Sequence, residues 1–189
     1  MLRRYKIPFD AIWLLAIMWS LFIVDFLLPI SLNFLGLSPR RLLSLPNIFT
    51  FPLVHSGLWH IVSNSLPFVI LGSIIQLYGR TTYWLTTFII LLVGGIGTWL
   101  FSSAGIVVGA SGLIFGYWSF LLSSAYFRKS LKTFAIAFVV FIFYGSLLFG
   151  LFDLRSHISW AGHFWGLIGG VVAAYWSVKN IRNAADSEI

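Results

Sequence analysis

The chain contains no cysteine, which excludes disulfides, thiolate metal sites and a thiol nucleophile. It is almost as poor in acid: five Asp and Glu stand against twelve Lys and Arg in 189 residues, and only 9% of residues are charged. A soluble domain carries about a quarter charged residues. With 59% hydrophobic residues and a mean hydropathy of +0.95, this is the composition of a polytopic membrane protein. Its length suits one domain over 1–189, with short cytoplasmic tails at both ends. The net charge of +7 does not mark a nucleic-acid binder, because the cations sit in short segments between apolar runs, where they set topology. Scarce acid also argues against a cation pathway built on His55, His60, His157 and His163, and no repeat pair suggests a transporter. No cofactor and no metal are implied. A cleavable signal peptide is not expected, since the first apolar stretch is long enough to span and lacks a clear small-residue cleavage site.

What is present is a series of six apolar segments, at 11–30, 58–77, 83–101, 111–127, 133–151 and 159–178. Each is near the ~20 residues that a spanning helix requires. The expected fold is an all-α membrane protein, a six-transmembrane-helix bundle ending in a short polar tail over 183–189. Arg3, Arg4, Lys6, Arg80, Arg128, Lys129, Lys132, Lys179 and Arg182 fall on one side, leaving Arg40, Arg41 and Arg155 on the other. That asymmetry places both termini in the cytoplasm. The expected location is the inner, cell membrane of a prokaryote. The first loop, 31–57, is rich in Leu, Ile and Phe yet broken by Pro39, Pro46 and Pro52. It is too apolar for a solvated loop and too interrupted for a straight helix. It is expected to lie partly in the membrane interface and to brace the helices. The stretch 102–110 is irregular too, and at membrane depth such backbone needs a cover of protein or a water-filled cavity.

Spans two, four and six run from the outside inward, which brings His60, Asn64, Ser111 and His163 to similar depth near the outer face. Polar groups inside a bilayer are costly and are functional-site hypotheses by default. A lone serine in a membrane helix more often bonds a carbonyl one turn back. Ser111 differs because Gly109 and Gly112 flank it and permit a sharp entry with close backbone approach. Unpaired N–H groups at a helix start can face an oxyanion. A nucleophilic serine needs a base within hydrogen-bond reach, and His163 is the candidate. Gly112 and Gly116 on one helix, and Gly166 and Gly170 on the other, are spaced to let two helices close to the ~3 Å that a Ser–His contact needs. The plainer alternatives are simple packing for the glycines and a carbonyl-bonded buried ring for His163. His60 and Asn64 are four residues apart and share a helical face. With the Ser111 N–H they could hold an oxyanion, or they could simply glue two helices together. His55 is expected to be structural. Neither Asp25 nor Asp153 has a spacing that places it behind His163, so the expected unit is a dyad.

These residues resemble the rhomboid family of intramembrane serine proteases, over close to the whole chain. The family's histidine, second histidine and asparagine match His55, His60 and Asn64. Its G-x-S-G matches Gly109-Ala110-Ser111-Gly112, and its last-span pattern is similar to Ala161, His163, Gly166 and Gly170. The resemblance implies that Ser111 is the nucleophile and His163 the general base and then acid. It also implies an oxyanion hole of His60, Asn64 and the Ser111 N–H, and hydrolysis of a peptide bond in or near the transmembrane segment of single-span substrates. There are departures. Where many members have Trp-Arg in the first loop, this chain has Pro46 and Asn47, leaving Arg40 and Arg41 as candidate anchors. Phe115 replaces a tyrosine that packs on the catalytic imidazole, and can still stack. Gln76 stands where an acid is usual. The fifth span, rich in Phe, is a candidate lateral gate. A catalytically silent binder of transmembrane segments is the alternative within the same fold.

Overall fold

The structure, a computed structural model, describes residues 9–28, 31–103, 105–150 and 160–186. Its helices are α1 (Phe9–Leu27), α2 (Leu58–Gln76), α3 (Arg80–Phe101), α4 (Ser111–Arg128), α5 (Leu131–Tyr144), the single turn α6 (Leu147–Gly150) and α7 (Trp160–Asp186). Three of them, α1, α2 and α3, are long and apolar enough to cross a membrane. Among the described residues the only pairing of strand type is one antiparallel bridge between Leu37 and Val107.

Two expected spans differ. The fifth was expected over 133–151 as one helix, but α5 starts at Leu131 and stops at Tyr144, and α6 follows as a separate turn. The early start has a local cause: Ser130 and Thr133 form a reciprocal capping box. The early stop coincides with Gly145, where a Cβ would strike the Phe141 carbonyl. The last helix runs through Asp186, past the expected end at 178 and into the expected polar tail, because no glycine or proline interrupts 179–186. Residues 30, 151 and 159, expected span ends, lie outside the described residues, as do Arg3, Arg4, Lys6, Arg155, Asp153 and His157.

α4 is the axis of the fold. Residues 112–121 are buried without a break, against α2, α3, α5 and α7. Tyr117, Phe120 and Leu121 anchor the main apolar cluster together with Phe68, Leu71, Ile75, Tyr83 and Ile90. α1 lies on the rim and is tied in at one end by Asp10. That carboxylate accepts from Arg80 Nη2 at 2.9 Å and from Gln76 Nε2 at 2.5 Å. Gln76, where the resemblance implies an acid, instead donates to an acid on a different helix.

The first loop folds as three 3-10 turns, Leu32–Leu35, Leu42–Phe49 and Phe51–Leu53. Asp25 receives the Leu32 N–H at its start. Arg40 is the anchor. Its guanidinium Nη1 donates to the carbonyls of Leu100 at 3.2 Å and Ser102 at 2.8 Å, and its backbone N–H donates to Trp99 O at 3.0 Å. These are the carbonyls that a helix C-terminus leaves without partners. Arg41 meets α3 through its carbonyl, which accepts from Trp99 Nε1 at 3.0 Å. Asn47 donates to the carbonyls of Phe34 and Gly36 at 2.8 and 2.7 Å, closing the loop on itself.

Candidate active site

The entry to α4 is held by the first loop, one residue at a time. Leu37 and Val107 exchange backbone hydrogen bonds at 2.9 Å. Gly109 N–H donates to Phe51 O at 2.9 Å, and Ala110 N–H donates to His55 Nε2 at 3.4 Å. Gly109 sits at φ +110°, a conformation that strains any side chain, and a Cβ there would strike the His60 ring. Ala110 is the N-cap and offers no side-chain bond, so the first-turn N–H groups that begin with Ser111 have no side-chain cap.

Ser111 Oγ and His163 Nε2 are 3.0 Å apart. The approach depends on glycine. A Cβ on Gly166 would collide with the Gly112 carbonyl, one on Gly170 with the Gly116 carbonyl, and one on Gly112 would come within 3.2 Å of Gly162 O. Ser119 fixes the same seam by donating to Leu167 O at 2.7 Å. Phe115 lies flat on the His163 ring, with centroids 4.3 Å apart and planes at 14°. Both rings are buried.

On α2, His60 and Asn64 share the face toward this entry. The Nε2 edge of His60 abuts Gly109, and its Nδ1 is 3.1 Å from Ser56 Oγ. Asn64 is buried, and its Nδ2 is a donor with no hydrogen-bond partner. His55 is 2% exposed and packs edge-on against His60, with centroids 5.0 Å apart. It precedes α2, outside the helices. Because its Nε2 accepts the Ala110 N–H, the ring is neutral with its proton on Nδ1. Burial, with the neighbouring His60 adding to it, pushes its pKa down to about 4.

Ser111, His163, His60, Gly109, Gly112, Phe115 and Gly166 therefore meet around one point, and Asn64 adds a buried donor one turn below His60. Ser56 and Ser119 were not anticipated. Ser56 carried a signal, since it lies four residues before His60. Ser119 carried none, because its partner is a backbone carbonyl on a helix 48 residues away. Such a pair can pass a proton from a hydroxyl to an imidazole at a position lined with N–H donors, the elementary requirement of acyl transfer.

Comparison with known proteins gives the family of the chain. The family model described as the rhomboid domain matches residues 43–180. An uncharacterised protein of Mycobacterium tuberculosis is 34% identical over 169 residues, which is 85% of this chain and 70% of the relative. A Mycobacterium bovis protein matches to the same extent. A Mycobacterium leprae protein is 32% identical over 186 residues, 92% of this chain and 73% of its own length. The domain match runs from within the first loop, through the serine helix and into the histidine helix, and the chain belongs to the rhomboid family.

Proposed function

We propose that this protein is an intramembrane serine endopeptidase that cleaves single-span membrane proteins in or near their transmembrane segments. The observation that carries the proposal is the 3.0 Å approach of Ser111 Oγ to His163 Nε2 at the start of a buried helix. His163 takes the Ser111 proton as the hydroxyl attacks the scissile carbonyl. The resulting oxyanion is held by the Ser111 N–H, His60 and Asn64. The amine leaves with the proton from His163, and water admitted from the outer face hydrolyses the acyl-enzyme. The orphaned Asn64 Nδ2 supports the oxyanion role, because a buried donor left without a partner costs about 1–3 kcal/mol and a bound oxyanion removes that cost. Ser56 supports it as well: a hydroxyl donated to Nδ1 leaves the His60 proton on Nε2, the edge beside Gly109. No cofactor or metal takes part.

The chain would do this as a multi-pass protein of the cell membrane, with six crossings by α1, α2, α3, α4, α5–α6 and α7 and both termini in the cytoplasm. A substrate helix must unwind to present its peptide bond. The lipid side of α5, with Phe134, Phe138, Phe141 and Phe143 exposed, is the proposed entry. The test is direct. A fluorophosphonate probe labels purified wild-type protein in lipid at Ser111 and not Ser111→Ala, and wild type cuts at least one of a panel of single-span substrates. Wild-type protein that binds such substrates but neither labels nor cuts is a silent binder, and the protease proposal is overturned.

A further inference from the structure

Among the described residues Arg80 has a carboxylate partner, whereas Arg128, drawn partly into the bundle, has none. Arg128 closes α4 and is half-buried. Its Nη2 donates to Ser177 Oγ on α7 at 2.6 Å, and its guanidinium lies 4.6 Å from the centre of the Tyr78 ring. Its Nε and the Tyr78 hydroxyl are buried with no hydrogen-bond partner. The chain has no Asp or Glu from 26 to 152, so α2 to α6 offer none. Asp10 is engaged by Arg80 and Gln76, and Asp25 by the Leu32 N–H. On α7 the nearest acid, Asp186, is nine residues past Ser177, ~13 Å further along the helix axis. A guanidinium carries five N–H donors in a fork that matches two oxygens of a phosphate. Among the described residues one hydrogen bond answers them.

The surroundings indicate what answers it. Lys129 and Lys132 follow at once, both exposed. Tyr126, near the end of α4, and Tyr175 and Trp176, just before Ser177 on α7, are also exposed, as aromatic residues at a headgroup boundary are. From this point Leu131, Phe134 and Phe138 run down the outer side of α5 as an exposed apolar strip on one helical face. We propose that Arg128, Lys129 and Lys132 form a binding site for the phosphate of an anionic phospholipid, whose acyl chains lie along that strip. Basic pockets between spanning helices on the cytoplasmic side are suited to such headgroups. A free phosphate ion would share the headgroup chemistry but not the strip.

Thermal unfolding of the full chain in detergent micelles tests this, with phosphatidylglycerol, phosphatidylcholine or inorganic phosphate added. Phosphatidylglycerol should raise the Tm by about 2–4 °C more than phosphatidylcholine, and inorganic phosphate alone should not. Arg128→Gln should abolish that increment, and Arg128→Lys should retain part of it. If Arg128→Gln does not fold, the double variant Lys129→Gln, Lys132→Gln serves, because both side chains are exposed. It should lose about half the increment while its Tm in phosphatidylcholine stays at the wild-type value. Equal shifts from the two lipids, or an increment that survives these substitutions, would overturn the proposal. A shift from inorganic phosphate as large as that from the lipid would overturn the lipid as the ligand.

Discussion

α1 and α4 are nearly the same length, 19 and 18 residues, and they are opposites in every other respect. α1 is apolar enough to be recognised at once as a membrane span, yet it buries only Ala11 and Met18 and turns Trp13, Phe26 and Leu27 outward. α4 is not among the helices apolar enough to be counted as spans by composition, yet residues 112–121 are buried in succession. Hydropathy in this protein therefore reports contact with lipid and not depth within the fold. A helix wrapped by other helices can carry Ser, Gly and Tyr where its neighbours offer partners to their polar groups. Tyr117 shares a 2.8 Å hydrogen bond with Thr87, and Ser119 finds the Leu167 carbonyl. The serine of the candidate site stands on a helix that composition does not report as a span.

Substitutions on α4 and its partners should thus matter far more than equal changes on α1. The largest effect is expected from Ser111→Ala. Removing the nucleophile costs roughly 10⁶ in kcat in a well-studied serine hydrolase, so cleavage should vanish while the Tm is kept. Cleavage by the pure variant in lipid would remove Ser111 from the chemistry. Gly166→Val comes next, because its side chain must displace the Gly112 carbonyl and part α4 from α7. A misplacement of ~1 Å can cost ~10²-fold in rate, so both turnover and Tm should fall. Wild-type values for both would mean that the two helices do not meet there. Asn64→Ala should lower kcat by somewhat less than the roughly 10²–10³ of a lost oxyanion donor, since other donors remain. An unchanged kcat in a folded variant would make Asn64 an interhelical contact only.

The fourth prediction concerns the cap of α4. His55 is held neutral with its pKa at about 4, below the ordinary ~6.5 of an unfolded histidine. The unfolded chain therefore takes up the proton first. Stability from this group is complete above about pH 6.5 and is lost as pH falls toward 4, by at most roughly 3 kcal/mol. His55→Gln keeps an acceptor for the Ala110 N–H but does not titrate, so its Tm should drop less than wild type between pH 7 and pH 4.5. Parallel Tm curves would show that His55 does not carry the acid sensitivity. The smallest effect is expected from Trp13→Leu, whose 67% exposed side chain leaves one apolar surface for another. Its stability in lipid should change by no more than about 0.5 kcal/mol. A loss as large as that of Gly166→Val would erase the contrast between the two helices.

Much of the candidate site was legible because its polar residues stand out against an apolar background and its motifs are local. Four residues separate His60 from Asn64, and Ser111 lies between two glycines. The stacking of Phe115 on His163 was implied by the family resemblance and not by any local motif, since the two rings stand on different helices. What could not be read were ties across long stretches of chain. Arg40 reaches the end of α3 from 60 residues away, and Asp10 reaches Gln76 from 66. Nothing in either neighbourhood names the partner, because a carbonyl or an amide exists at every position. The break after Tyr144 was missed for a different reason. Gly145 interrupts a run that is apolar on both sides, and hydropathy does not register a change of direction.

The polarity of α4 has a consequence for how the protein is made. Helices enter the bilayer from the translocon largely on their own apolar merit, and a segment carrying Ser111, Ser119, Ser123, Ser124 and Arg128 enters poorly alone. We expect its entry to wait for a companion, and α5, more apolar and next in order, is the nearest. In glycosylation mapping of nascent chains, those ending after α4 should then insert less completely than those ending after α5. Equal insertion would mean that the serine helix reaches the membrane unaided and acquires its sheath only afterward.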